Sequence, residues 1–369
     1  MPPQDSSLDQ FFMREALSLA QTSLGISSPN PSVGCVIVRD GRVIGRGATR
    51  PAGQNHAEIE AIEDALAHGE SVAGSTVYVT LEPCSHFGRT PPCAKRLVDE
   101  RVSRVVAATV DPNPAVAGRG FAILKSAGIA VDVGLFEKEA RFLNRDFFFK
   151  MKTGKPWVRL KTAISLDAKT ALKNGESQWI TGEAARRDAR RFRAISGAVI
   201  TGSGTVTSDN PRMTARLECE GAPEPWRVVL DTKMALDPTA RIFEGGRALW
   251  CVGEVNPEKR DAANKNGIEL YVAAKKGEHL DLEDVLTRVA ALDVNGIMIE
   301  AGATLSGAFL AANLVNEILA YVAPVVIGPG RDAFTIPALA RLSEAKRFQL
   351  ADCTRLAEDL RLTLIAKEN

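Results

Sequence analysis

The sequence predicts an α/β protein built as two successive domains. Helix-like and strand-like stretches alternate along nearly the whole chain, and the alternation restarts after a polar turn. At 369 residues the chain is also longer than one ordinary hydrophobic core serves. The turn Lys152-Thr153-Gly154-Lys155-Pro156 marks the expected boundary, giving domains over 1–150 and 151–369. Apolar content of 45% and charged content of 25% are those of a soluble globular chain. A net charge of +1 speaks against a general nucleic-acid binder. The longest apolar stretch, 319–327, is interrupted by Pro324, so no membrane span is expected. The start, Met1-Pro2-Pro3-Gln4-Asp5, has no basic region followed by an apolar one, so no signal peptide is expected. Six cysteines (35, 84, 93, 219, 251 and 353) are scattered, with only Cys84 and Cys93 close together. That pattern points to a reducing cytoplasmic location and a metal site rather than a disulfide framework.

In chain order, 8–24 places Phe11, Phe12, Ala16, Leu19 and Ala20 on one face at helical spacing, with Gly25 as the C-terminal cap. The loop Ser28-Pro29-Asn30-Pro31 precedes a strand over 33–38; Asp40-Gly41 signals a hairpin, and 42–45 returns as its partner. Residues 56–68 read as a helix ended by Gly69, with His56 and Glu58 in its first turn, where the dipole favours a carboxylate. A strand over 76–81 runs into Glu82-Pro83-Cys84, and Pro92 suits the first turn of a helix over 92–100, which puts Cys93 at a helix N-terminus. A strand over 104–110, the loop Asp111-Pro112-Asn113-Pro114, a helix over 121–127 and a strand over 129–133 follow. This order predicts a mostly parallel sheet with helices on both faces and functional groups at the strand C-termini. Residues 135–153 form a connector with a helical start and the aromatic end Phe147-Phe148-Phe149. In the second half, strands are expected at 157–163, 198–201, 227–231, 248–252, 296–300, 316–327 and 358–366. Helices are expected at 183–194, capped by Thr181, and at 281–292, and another opens from 301–307.

The chemistry concentrates in His56-Ala57-Glu58 and the later stretch 82–93. One histidine and two cysteines supply three donors for a tetrahedral zinc, and three protein ligands leave an open position, as catalytic zinc requires. The order H-x-E, then P-C, then C is the signature of zinc-dependent base deaminases, in which the glutamate moves protons and does not bind the metal. Eight residues separate Cys84 from Cys93, where those enzymes usually have two. The competing reading is a closed structural zinc, which leaves Glu58 without a task. Gly202-Ser203-Gly204 and the run 302–307 are each turns between strand and helix, or together a seat for a phosphate-bearing cofactor; neither has the G-x-G-x-x-G spacing. The helix carrying Arg186, Arg187, Arg190, Arg191 and Arg193 is a solvated basic face, or in part a grip on a substrate phosphate.

Taken together, the chain resembles the bifunctional deaminase–reductase family of riboflavin biosynthesis. The resemblance is carried by 29–38, 52–58, 78–93, 111–114, 165–167, 175–181, 204–206, 209–211 and 300–302, and so spans nearly the whole sequence. It implies a cytidine-deaminase-like α/β/α domain followed by a dihydrofolate-reductase-like α/β domain. The first is expected to deaminate 2,5-diamino-6-(5-phosphoribosylamino)pyrimidin-4-one, and the second to reduce the ribosyl group of the uracil product to ribityl with NADPH. By family position, His56, Cys84 and Cys93 bind zinc, Glu58 is catalytic, and Asn30, His86, Arg89, Asp111 and Asn113 line the deaminase pocket. The same matches assign Ala163, Trp179, Thr205, Asp209, Thr232, Gly302, Ala303, Thr304, Leu305, Ser306, Gly307 and Ala308 to NADPH. They assign Lys161, Ser177, Arg193, Met213, Arg216 and Glu300 to the phosphoribosyl-pyrimidine. A homo-oligomer, dimer or tetramer, is implied as well. Thr49 departs from the family, which usually has histidine there. A nucleic-acid base deaminase would share the zinc motif but predicts a basic groove with aromatic platforms, and a zinc-stabilised nucleotide-binding module would not need Glu58.

Overall fold

The computed structural model describes residues 6–85, 91–114, 116–216 and 221–367, and these divide into two compact units, Met1–Gly154 and Lys155–Asn369. The first unit runs α1 (Ser6–Thr22), β1 (Gly34–Arg39), β2 (Arg42–Ala48), α2 (Ala57–Ala67), β3 (Thr76–Val79), α3 (Cys93–Asp99), β4 (Arg104–Ala107), α4 (Arg119–Ser126), β5 (Ala130–Val133), α5 (Glu137–Leu143) and α6 (Arg145–Thr153). Its sheet has the order β2-β1-β3-β4-β5. Only β3, β4 and β5 are parallel, whereas β1 pairs antiparallel with both β2 and β3, so the expected mostly parallel sheet is instead evenly mixed. The cause is local: Asp40 and Gly41 both take positive φ, which makes the tight two-residue turn that returns β2 beside β1.

Helices cover both faces. Residues of α2, α3, α4 and α6 share one core with the sheet, while α1 and Ala140 of α5 pack on the other face. Phe12, Met13, Ala16 and Ala20 form the buried stripe of α1; Phe11 is 60% exposed, so it lies outside the face expected from the sequence. The stripe is narrow because α1 seats directly on the backbone of β1. A Cβ at Gly34 would stand 1.9 Å from the Ala16 carbonyl oxygen, so only glycine permits the approach. The connector after β5 forms the two helices α5 and α6, and Phe147 belongs to the core.

The second unit runs β6 (Trp157–Ile164), β7 (Lys169–Leu172), α7 (Glu183–Ser196), β8 (Ala198–Gly202), α8 (Ser203–Asp209), β9 (Trp226–Leu230), β10 (Ala248–Val252), α9 (Pro257–Lys265), β11 (Glu269–Val272), β12 (Lys275–Lys276), β13 (His279–Leu280), α10 (Leu282–Ala290), β14 (Gly296–Ile299), α11 (Ala303–Ala311), β15 (Glu317–Val322), β16 (Gly330–Asp332), β17 (Phe348–Leu356) and β18 (Asp359–Ala366). A nine-stranded sheet has the order β11-β10-β9-β8-β14-β6-β15-β18-β17, parallel from β11 to β15 and antiparallel thereafter. The chain steps outward from β8 to β11, then returns to insert β14 between β8 and β6. That reversal is a topological switch point, and α/β sheets bind ligands outside the strand C-termini at such points. Gly182, not Thr181, is the N-cap of α7. Among the described residues, no helix is long and apolar enough to cross a membrane.

One ion pair is sealed inside this unit. Arg159 and Glu317 approach to 2.9 Å with side-chain exposures of 1% and 0%, and Trp157 Nε1 donates to the same carboxylate. Removing one partner strands the other charge in the core. Glu317→Ala is expected to lower the unfolding free energy by about 3–5 kcal/mol in urea titrations; a wild-type midpoint would show the pair to be dispensable.

Candidate functional site

The first cluster forms where β3 ends and two helices begin. His56 is the N-cap of α2, Cys93 is the first residue of α3, and Cys84 lies just beyond β3. Their ligand atoms all lie within 4.8 Å of one another. His56 Nδ1 is 3.6 Å from Cys84 Sγ and 3.4 Å from Cys93 Sγ, and the Cys93 backbone N–H donates to Cys84 Sγ at 3.2 Å. Zinc bonded tetrahedrally to nitrogen and thiolate sulfur spans about 3.5 Å between such donors, so both spacing and donor chemistry fit the metal. Three donors leave its fourth position for water.

The electrostatics place one anion here, on Cys84, and oppose charge on Cys93 and Glu58. The Cys84 thiol is brought down to about 4, first by the hydrogen bond it shares with Cys93 and against its burial, with His56 and the Cys93 N–H helping. Cys93 is pushed up by the same shared bond and by burial. His56 is raised by its bond to Cys84, with burial opposing. Glu58, in the first turn of α2, is 3% exposed; burial lifts its carboxyl to about 7, the Cys84 charge adds to this, and His56 opposes it. A carboxyl in that range both takes up and gives back a proton near neutrality.

The loops around this cluster are held by backbone bonds. Asn144, buried between α5 and α6, accepts from Ser32 N and donates to Ser32 O, which fixes the strap carrying Asn30. Thr49 is buried, and its hydroxyl accepts from Val33 N and donates to Val33 O, a structural contact. Asp111 is buried and accepts from Asn113 N. Glu82 is buried and accepts from the N–H groups of Asp111, Gly118 and Gly120. Sequence reasoning missed Glu82 and Asn144; an acidic residue ending the apolar run 77–81 was the available signal for the former. His86 and Arg89 lie outside the described residues.

In the second unit Lys161 and Ala163 lie on β6, Thr205 and Asp209 on α8 after β8, and Glu300 and the run 302–308 after β14; Thr232 follows β9, Arg193 is on α7, Ser177 and Trp179 lie between β7 and α7, and Met213 and Arg216 between α8 and β9. β8 and β14 are parallel neighbours, and each runs into a glycine N-cap, Gly202 before α8 and Gly302 before α11. Neither cap offers a side chain to the first amides, which suits a phosphate. Gly302 and Thr304 are exposed, Ala303 and Leu305 half-buried, and Ala308 exposed. Ser306 and Gly307 are buried: the Ser306 hydroxyl turns to the Ala301 carbonyl, and a Cβ at Gly307 would meet the Thr335 carbonyl at 1.8 Å. Those two residues therefore pack the helix, and its open end is Gly302 to Thr304.

Glu300 follows β14 and is buried beside Arg193 and Lys161. The Arg193 fork spans both Glu300 oxygens, and its other nitrogen donates to the Thr214 carbonyl at 2.9 Å. Arg216 is exposed and makes no ion pair among the described residues. Met213 is a core residue at positive φ, so its side chain faces the protein. Trp179 is 69% exposed, with the Arg186 guanidinium 4.4 Å over its ring, and Ser177 is exposed nearby in sequence. On the basic helix, Arg186 and Arg190 pair with Glu183. Ala163 and Thr205 are half-buried, Asp209 ends α8, and the Thr232 carbonyl accepts from Gly253 and Glu254.

Comparisons with known proteins find a separate family profile for each half of the chain. A family profile described as the cytidine and deoxycytidylate deaminase zinc-binding region matches residues 6–109, and one described as the RibD C-terminal domain matches 156–362. The chain is 41% identical over 369 residues to riboflavin biosynthesis protein RibD of Escherichia coli, covering 97% of this chain and 99% of that one. It is 39% identical to the Haemophilus influenzae protein of the same description, covering 98% of each. Among solved structures it resembles Acinetobacter baumannii RibD, with TM-score 0.87, 42% identity, and 98% and 99% coverage. It also resembles a Thermotoga maritima protein described as a diaminohydroxyphosphoribosylaminopyrimidine deaminase/5-amino-6-(5-phosphoribosylamino)uracil reductase, with TM-score 0.86, 32% identity, and 98% and 99% coverage.

The Glu300 cluster has a pH consequence. Burial alone would raise this carboxyl, but Arg193 and Lys161 outweigh it and bring it from 4.5 to about 2. Since the folded value lies below the unfolded one, the cluster contributes stability above about pH 4.5 that fades as pH falls toward 2, roughly 3 kcal/mol in all. The stability gap between wild type and Glu300→Gln in denaturant unfolding is expected to be largest near neutrality and to shrink below about pH 4.5; a pH-independent gap would contradict the ionised assignment.

Proposed function

Because the chain belongs to the bifunctional riboflavin biosynthesis family, we propose that its first unit deaminates 2,5-diamino-6-(5-phosphoribosylamino)pyrimidin-4-one. We propose that its second unit reduces the ribosyl group of 5-amino-6-(5-phosphoribosylamino)uracil to ribityl. The enzyme is a zinc-dependent deaminase and an NADPH-dependent reductase. The observation that carries the deaminase assignment is the donor set His56, Cys84 and Cys93 with buried Glu58 on the same helix as the histidine.

In this reading His56, Cys84 and Cys93 would hold zinc, which when bound would supply hydroxide near neutral pH by lowering the pKa of water. Glu58 takes the proton released by the attacking water. It passes that proton to the pyrimidine ring nitrogen, then moves the second proton of the water, left on the new C–OH, to the departing amine, so that N=C–NH2 and water become HN–C=O and ammonia. Asn30, Asp111 and Asn113 orient the substrate, and we assign His86 and Arg89 to the same pocket.

For the reductase, the open amides at Gly302 to Thr304 and at the start of α8 support a seat for the NADPH phosphates, with Ala163, Thr205, Asp209 and Thr232 along the cofactor. Trp179, stacked with Arg186, offers a flat platform beside it. NADPH supplies the hydride. Lys161 and Glu300 face the pyrimidine, and Ser177 and the backbone at Met213 border the ribose. Because Arg193 is committed to Glu300 and Thr214, the 5′-phosphate falls to Arg216. We also propose that the protein works in the cytoplasm as a homo-oligomer; the described cysteines are all free thiols, and Leu350 of the edge strand β17 is 56% exposed.

Two substitutions test the assignments. Glu58→Gln is expected to keep its zinc, to lose ammonia release by on the order of a hundred- to ten-thousand-fold, and to oxidise NADPH normally when given the uracil substrate. Retained deamination would remove Glu58 from the mechanism. Arg216→Ala is expected to raise the reductase KM about ten- to a hundredfold and to leave ammonia release unchanged; an unaltered KM would reject the phosphate assignment.

A further inference from the structure

We infer that Glu82 is a positioning residue of the deaminase, setting the pocket wall that carries Asp111 and Asn113 at a fixed place relative to the metal ligand Cys84. The inference rests on the deaminase reading above. Glu82 is 3% exposed, and no lysine or arginine pairs with it among the described residues. Its carboxylate is satisfied by backbone donors: Asp111 N at 3.2 Å, Gly118 N and Gly120 N at 2.9 Å, and Phe121 N at 3.5 Å. These donors lie at both ends of the excursion between β4 and α4, so a single side chain ties the excursion closed. The donors from Gly120 and Phe121 belong to the first turn of α4, where the helix dipole also favours an anion.

Burying a carboxylate without a cation is costly, and a neutral apolar side chain would fill the core at less expense. The position in the chain explains the residue. Glu82 N donates to the Thr109 carbonyl at 3.0 Å, so the backbone of the Cys84 segment is joined to the strand that leads into Asp111. Next in line, Pro83 O packs on Gly120, where a Cβ would stand 2.0 Å away. Residue 84 is then the metal ligand. Three successive residues thus index the wall from below, against it, and at the metal. Asp111 in turn accepts from Asn113 N, which carries the register to the second candidate substrate contact.

The test uses the zinc-loaded full-length enzyme. In Glu82→Gln the side-chain amide confronts some of the backbone donors with its own N–H groups. Amide hydrogen exchange at Asp111, Gly118 and Gly120 is expected to accelerate, and KM for the diamino substrate to rise about tenfold or more, with kcat changing less than KM. Zinc content and NADPH oxidation with the uracil substrate are expected to hold. Glu82→Asp keeps the charge on a shorter arm and is expected to shift the same readouts in the same direction by less; it carries the test if Glu82→Gln does not fold. An unchanged KM despite faster exchange would overturn the role, as would loss of zinc together with both activities. A wild-type enzyme that releases no ammonia would overturn the deaminase reading, and with it this role, whatever happens to the exchange rates.

Discussion

The first unit depends on the meeting of one strand end with two helix starts. At the end of β3 the chain delivers Cys84 to a place already faced by the first turn of α2 and the first residue of α3. Helix N-termini carry unpaired N–H groups and a positive partial charge, which favour an anion set against them; Cys84 gains from this, while burial outweighs it for Cys93 and Glu58. The bond from Cys93 N to Cys84 Sγ shows one such donor in use. The remainder of the unit keeps these ends in register. Gly47 lets α2 lie on β2 so closely that a Cβ would be 2.1 Å from the Ala57 carbonyl, and Ala57 directly follows His56.

The second unit uses the same device on a different sheet. Inserting β14 between β8 and β6 puts two glycine-capped helix starts side by side at the strand C-termini. Glu300 then leaves β14 directly into a buried site between Arg193 and Lys161. Its charge is held by cations from other elements, whereas the Glu82 charge is held by backbone amides. The contrast has a use: side-chain cations hold the Glu300 charge at the end of a strand, while backbone donors on Glu82 fix a loop.

Strong local signals were legible in the sequence. The Asp40-Gly41 turn, the helix over His56 and Glu58, and the strands running into Cys84 and Glu300 were placed within a few residues, because period, cap and turn chemistry act over short distances. Other elements were not read. β17 is an edge strand with most of its side chains exposed and an irregularity between Leu350 and Asp352, so it has no clean alternation. α9 buries only Ala263 and is otherwise polar, which hides its periodicity; the Asn256-Pro257 start was its one cue. The parallel or antiparallel sense of β1 against β3 is a property of the connection rather than of either strand's composition.

By itself, the sequence determined the donors and their order: a histidine with a glutamate two residues later, a cysteine after a strand, a second cysteine opening a helix, and a second half with glycines at strand-to-helix turns. Those identities limit the chemistry because few residue types bind zinc or approach phosphate through backbone. Tertiary structure decided how the members of each motif are held. Ser306 and Gly307 turn into packing while Gly302 stays open, Arg193 is spent on Glu300, Thr49 bonds to backbone, and Glu82 emerges as the clasp of a distant loop. The reason is that burial and long-range pairing are set by neighbours far away in the chain, and a residue's own sequence context carries no record of them.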